Sequence, residues 1–71
     1  MTALPARRVY PEAWGVELHR NYSGRAFFYV SRFINRTEVE FVTEIDGGAK
    51  CFRRERDAIA AMERANAQAA V

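Results

Sequence analysis

Ala26-Phe27-Phe28-Tyr29-Val30-Ser31-Arg32-Phe33-Ile34 decides the fold. The run is aromatic and β-branched on both faces, which marks a strand rather than a helix. A strand of that kind is central in its sheet or covered on each side. Upstream, Asn21-Tyr22-Ser23-Gly24 reads as a turn, because Asn and Gly tolerate positive φ. Before it, Trp14 to Arg20 alternates: Trp14, Val16 and Leu18 point one way, Gly15, Glu17 and His19 the other. Downstream, Asn35-Arg36-Thr37 is the next turn. From Glu38 to Asp46 the pattern alternates again. It places Val39, Phe41, Thr43 and Ile45 inward, and Glu38, Glu40, Val42, Glu44 and Asp46 outward. Asp46-Gly47-Gly48 is a hairpin signal. Lys50-Cys51-Phe52 is either a short fourth strand or the lead into a helix.

The remaining stretch, Arg53 to Ala69, is alanine-rich and carries Ala58, Ile59, Met62, Ala65 and Ala69 at helical spacing. With only two bulky residues in that stripe, the helix lies close to the sheet and adds little burial. The expected architecture is α+β: an antiparallel sheet of three, or four, strands packed on one C-terminal helix, in the order β-β-β-α. Residues 1–12, broken by Pro5 and Pro11, read as a flexible tail, and 13–71 as a single domain. Matching periods predict a shared core of Trp14, Val16, Leu18, Val39, Phe41, Ile45, Ile59 and Met62.

A chain of 71 residues makes one domain with a small core, which argues against a deep substrate cleft. Ordinary apolar content and mixed charge argue against wholesale disorder. No apolar run approaches the roughly 20 residues that span a bilayer, so no membrane association is expected. The basic N-terminus lacks a following apolar stretch and does not read as a secretory signal, which points to a cytoplasmic location. Asn21-Tyr22-Ser23 and Asn35-Arg36-Thr37 match the glycosylation pattern but read as turns. Cys51 is the single cysteine; it can form no internal disulfide and is expected to be a small buried hydrophobe. A nucleophile needs a base, His19 is the single histidine, and nothing in the spacing joins the two. No ligand cluster for a metal is visible. The expectation is therefore a protein with no catalytic residues, no metal and no cofactor.

Charge divides into two groups. Glu38, Glu40, Glu44 and Asp46 make the outward side of the third strand acidic, with Glu17 expected to join them and Arg32 as the neighbouring cation. An acidic sheet face suits docking on a basic protein surface. Lys50, Arg53, Arg54 and Arg56 gather around the helix start, with Arg25 near the first turn. Arginines at a helix N-terminus make a site for phosphate or carboxylate. The uncovered aromatics of the central strand supply a third surface. Phe27 and Tyr29 lie on one face, Phe28 and Val30 on the other, and one helix covers one face. The remainder is either covered in a homodimer or used on a partner.

From Trp14 to Asn66 the order of elements resembles the arm-type DNA-binding domain of phage tyrosine integrases and the plant ethylene-response DNA-binding domain. The residues that carry the likeness are Trp14, Ala26 to Val30, Gly48-Ala49-Lys50-Cys51-Phe52 and Asp57-Ala58-Ile59-Ala60-Ala61. That resemblance implies a sheet face that reads DNA. Here the third strand carries Glu38, Glu40 and Glu44, which would meet phosphate unfavourably. In size and charge layout the chain also resembles small phage-encoded inhibitors of host machinery, anti-CRISPR proteins among them. This resemblance implies a non-enzymatic inhibitor or adaptor that docks on a host protein or complex, such as a CRISPR effector. Glu38, Glu40, Glu44, Tyr29 and Arg32 would be its contacts. The alternative is a DNA- or RNA-binding module that uses Lys50, Arg53, Arg54, Arg56 and Arg25.

Overall fold

The computed structural model describes residues 9–69. Its elements are β1 (Gly15–Arg20), β2 (Ala26–Phe33), β3 (Val39–Phe41) and α1 (Glu55–Ala69). The sheet order is β1-β2-β3, antiparallel throughout, with α1 packed on one face. The α+β, β-β-β-α architecture expected from the sequence is the one observed. The stretch Lys50-Cys51-Phe52 is a lead into the helix that makes a single bridge on the way. The N–H and C=O of Phe52 each bond to Phe28 at 2.7 Å. Most of the expected tail, residues 1–8, lies outside the described residues. The chain is already engaged at Glu12, whose N–H donates to the Phe33 carbonyl at 2.8 Å.

Asparagine and aspartate side chains build the connections. Asn21 Oδ1 accepts the N–H groups of Ser23 and Arg25, each at 3.0 Å, and Gly24 takes φ +82° to close the turn. Asn35 Oδ1 accepts the N–H groups of Thr37 and Glu38, each at 2.9 Å. Asp46 Oδ1 accepts the Gly48 N–H at 2.9 Å, while Gly47 sits at φ +92°. Both asparagines of the glycosylation-like patterns thus act as turn formers, with side-chain oxygens standing in for backbone acceptors.

The core lies between β2 and α1. Phe28, Val30, Phe52, Ala58 and Ala61 are buried, and Trp14, Val16, Ala26, Val42 and Met62 pack against them. This corrects the expected core. Trp14, Val16 and Met62 belong to it, but Leu18 is 55% exposed and Ile45 is fully exposed. Val39, Phe41 and Ile59 are also exposed. For the third strand the reason is register. Phe33 opposes Val39, Arg32 opposes Glu40 and Ser31 opposes Phe41. Val39 and Phe41 therefore share a face with Phe33, away from α1, while Glu40 and Val42 share the helix face with Arg32 and Val30. A slip of one residue exchanges the faces of a strand. β3 has apolar residues on both parities, so alternation alone did not fix which set is buried.

The register is held by pairings on the helix face. The Val42 N–H donates to the Val30 carbonyl at 2.9 Å. Arg32 pairs with Glu40 and lays its guanidinium over Trp14, 4.5 Å from the ring centroid. The side chain of Asn66 in α1 then fastens the start of β1. Its Oδ1 accepts the Trp14 N–H at 2.8 Å, and its Nδ2 donates to the Trp14 carbonyl at 3.2 Å.

Candidate functional site

The sheet face turned away from α1 is the most distinctive surface of the molecule. Its residues follow from parity: Glu17 and His19 on β1, Phe27, Tyr29, Ser31 and Phe33 on β2, Val39 and Phe41 on β3. The rings touch in a continuous row. His19 stacks on Phe27 at 5.8 Å and meets Tyr29 edge-on at 5.3 Å. Phe27 meets Tyr29 edge-on at 5.7 Å, and Tyr29 meets Phe41 at 5.8 Å. Edge-to-face contacts at these separations are favourable and hold each ring in one orientation. The row is thus arranged within the single chain. It is crossed at one end by a polar pair: Ser31 Oγ donates to Glu17 Oε2 at 2.7 Å, and Glu17 Oε1 lies 4.0 Å from His19 Nε2.

Phe52 faces the core, so its neighbours Cys51 and Arg53 project toward the aromatic face. They join Arg25 and Phe27 around a shallow hollow at one end of the row. Cys51 is exposed, which corrects the expectation of a buried hydrophobe. It sits on the far side of β2 from His19, about two inter-strand spacings or ~10 Å away. A Cys–His hydrogen bond therefore does not form. Among the described residues no group of His, Cys, Asp and Glu is arranged to hold a metal ion. No helix there is long and apolar enough to cross a membrane.

The acidic face expected from the sequence does not assemble. Glu40 is half-buried against Arg32 on the helix side, whereas Glu17 is on the opposite, aromatic side. Glu38 belongs to the turn before β3, and Glu44 to the hairpin after it. Of the five residues proposed for partner contact, only Tyr29 is on the aromatic face. The cationic set also divides. Arg25 and Arg53 meet in the hollow beside Phe27. Lys50 is on the helix side, with Nζ 5.3 Å from the Phe52 ring centroid. Arg54 and Arg56 are exposed at the helix start, where the Arg54 carbonyl accepts from Asp57 and Ala58. Arg25, Arg53, Arg54 and Arg56 form no salt bridge with a described carboxylate.

Val39 and Phe41 were not legible as site residues, because their place depends on the face that β3 shows; the alternation of β1 did place His19 on this side, opposite Trp14, Val16 and Leu18. The available signal was charge: Arg32 and Glu40, on adjacent strands across a short turn, pair only in this register.

No protein-family model, curated protein or solved structure matches the chain.

Proposed function

We propose that the chain is a non-enzymatic binding protein that docks on another protein through the aromatic face of its sheet. The row His19–Phe27–Tyr29–Phe41 carries this reading. It has an apolar, aromatic centre and a rim of polar and charged residues, the anatomy of a protein–protein contact. Rigid aromatic anchors lose little conformational freedom on binding, which favours them as the residues that dominate affinity. A small inhibitor or adaptor, occupying a groove on a larger host complex, is the role that such a surface suits. Relative to the sequence-based expectation, the contact set moves from Glu38, Glu40 and Glu44 to the ring row.

A nucleic-acid partner is supported by one observation, the hollow where Arg25 and Arg53 flank Phe27. Arginine beside an accessible ring is how single strands are held, by phosphate contact and base stacking. Affinity capture from a nuclease-treated lysate, with wild-type protein and a Tyr29→Ala, Phe41→Ala double variant as baits, separates the readings. The protein reading expects a partner that survives nuclease and is lost with the double variant. Capture abolished by nuclease, with direct binding of a labelled oligonucleotide that needs Arg25 and Arg53, would replace it with the second reading.

A further inference from the structure

We propose that β1 is a self-pairing edge: two copies join antiparallel through β1, with Leu18 on the twofold axis, to make one continuous six-stranded sheet. This goes beyond the docking role of the aromatic face and does not depend on what that face binds.

The argument begins with where the backbone groups point. In β2, the Val30 carbonyl accepts from Val42, and Phe28 exchanges both of its bonds with Phe52. The even-numbered residues of β2 therefore aim their N–H and C=O groups toward β3. Val16 opposes Val30 and Leu18 opposes Phe28. Those pairs are of the non-hydrogen-bonded kind, so the backbone groups of Val16 and Leu18 aim off the free edge of the sheet. Trp14, the preceding even residue, shows this independently. Its outward N–H and C=O are both taken by the side-chain amide of Asn66, at 2.8 and 3.2 Å, as a neighbouring strand would take them. Among the described residues the edge is thus closed by α1 at Trp14 and open from Val16 to Arg20.

An open edge is a template for another strand, and the side chains of β1 select both the occupant and the register. With Leu18 opposite its own copy, Glu17 of each chain opposes His19 of the other, in the closely spaced pairs where side chains meet best. Both complementary pairs form at once because the sequence places Glu17 and His19 symmetrically about Leu18. Sliding the copies by one residue each, to centre on Glu17 or on His19, puts like residues opposite one another in those close pairs. Leu18 is 55% exposed in the single chain and would be covered by its twin on the helix side. Val16 opposes Arg20 at either end, giving about six interchain backbone hydrogen bonds. The result brings two His19–Phe27–Tyr29–Phe41 rows into one extended surface. A twofold axis with the same patch on both copies is the usual way soluble chains associate.

The test is sedimentation velocity and light scattering on the full chain. An edge contact this small is of the weak class, so the search runs from about 10 µM to about 1 mM. Wild type is expected to pass from monomer to dimer in that range. Leu18→Pro removes an outward donor without touching the β1–β2 ladder, and an edge strand whose N–H faces solvent is a position where proline is accepted. It should remain monomeric with an unchanged circular dichroism spectrum. Should that variant fold poorly, Leu18→Lys, at an exposed position, puts two like charges on the axis and should also stay monomeric. Glu17→Lys should weaken the dimer about tenfold, and the exchange Glu17→His with His19→Glu should restore most of it. Phe41→Ala, which is away from β1, should leave the dimer intact. A monomer throughout, or a dimer indifferent to both Leu18 variants, overturns the proposal. A dimer lost with Phe41→Ala places the contact on the aromatic face instead.

Discussion

Individual side chains divide sharply by which face of β2 they occupy. Phe28 and Phe41 are both phenylalanines in the sheet, yet the spacing predicts a core place only for Phe41 and leaves the face of Phe28 open. Phe28 is buried between α1 and the Phe52 bridge, whereas Phe41 closes the exposed ring row and keeps 37% of its surface in water. Truncating a buried phenylalanine removes its transfer free energy and leaves a cavity, at a cost of about 3–5 kcal/mol. In a domain with five buried residues among those described, that approaches the whole stability. At Phe41 no closed cavity forms, because water fills the space, and the loss should be about 1 kcal/mol. Urea melts of Phe28→Ala and Phe41→Ala should therefore differ widely, the first close to unfolded in buffer and the second near wild type. Similar midpoints for the two would mean that the aromatic face is covered in solution.

At the scale of elements, the helix, the central strand and all three turns were legible in the sequence, because each carries local chemistry. Asn21, Asn35 and Asp46 supply turn acceptors, and the alanines of α1 set a helical period. The face of β3 was not legible. Its residues Val39, Phe41 and Val42 offer an apolar choice to either side, and the decision is made by Arg32, Glu40 and Trp14, which meet only after folding. The same interaction dissolved the expected acidic patch, since it turned Glu40 toward the helix side. Its strength can be measured. A double-mutant cycle with Arg32→Ala and Glu40→Ala isolates the pair from its surroundings. Both side chains are partly exposed, so a coupling of about 1 kcal/mol is expected rather than the larger value of a dry pair. Removing Arg32 should cost more than removing Glu40, by about 0.5–1 kcal/mol, because it also vacates the Trp14 ring. Equal single-mutant effects with no coupling would show that the register is set by Val42 and the backbone alone.

Taken whole, the molecule is two-layered where stability needs it and single-layered on its aromatic side. α1 covers one face of the sheet with small side chains, and among the described residues no element covers the rings of the opposite face. Charge and apolar surface are also separated: the aromatic row holds few charges, and Arg25 and Arg53 meet at the end where β2 begins and α1 starts. That separation makes the nature of the partner measurable through salt. If the ring row is the contact, affinity arises mainly from apolar burial, which added salt does not screen. Tyr29→Ala with Phe41→Ala should then weaken binding about a hundredfold or more, whereas Arg25→Ala with Arg53→Ala should change it less than about tenfold. If phosphates are the contact, the affinity falls steeply with salt, by close to one unit of logarithmic slope per phosphate neutralised, and the arginine pair carries the larger share. The two double variants therefore exchange rank between the readings. Binding isotherms at two salt concentrations decide between them, because an apolar contact leaves the wild-type constant almost unchanged and a phosphate contact cannot.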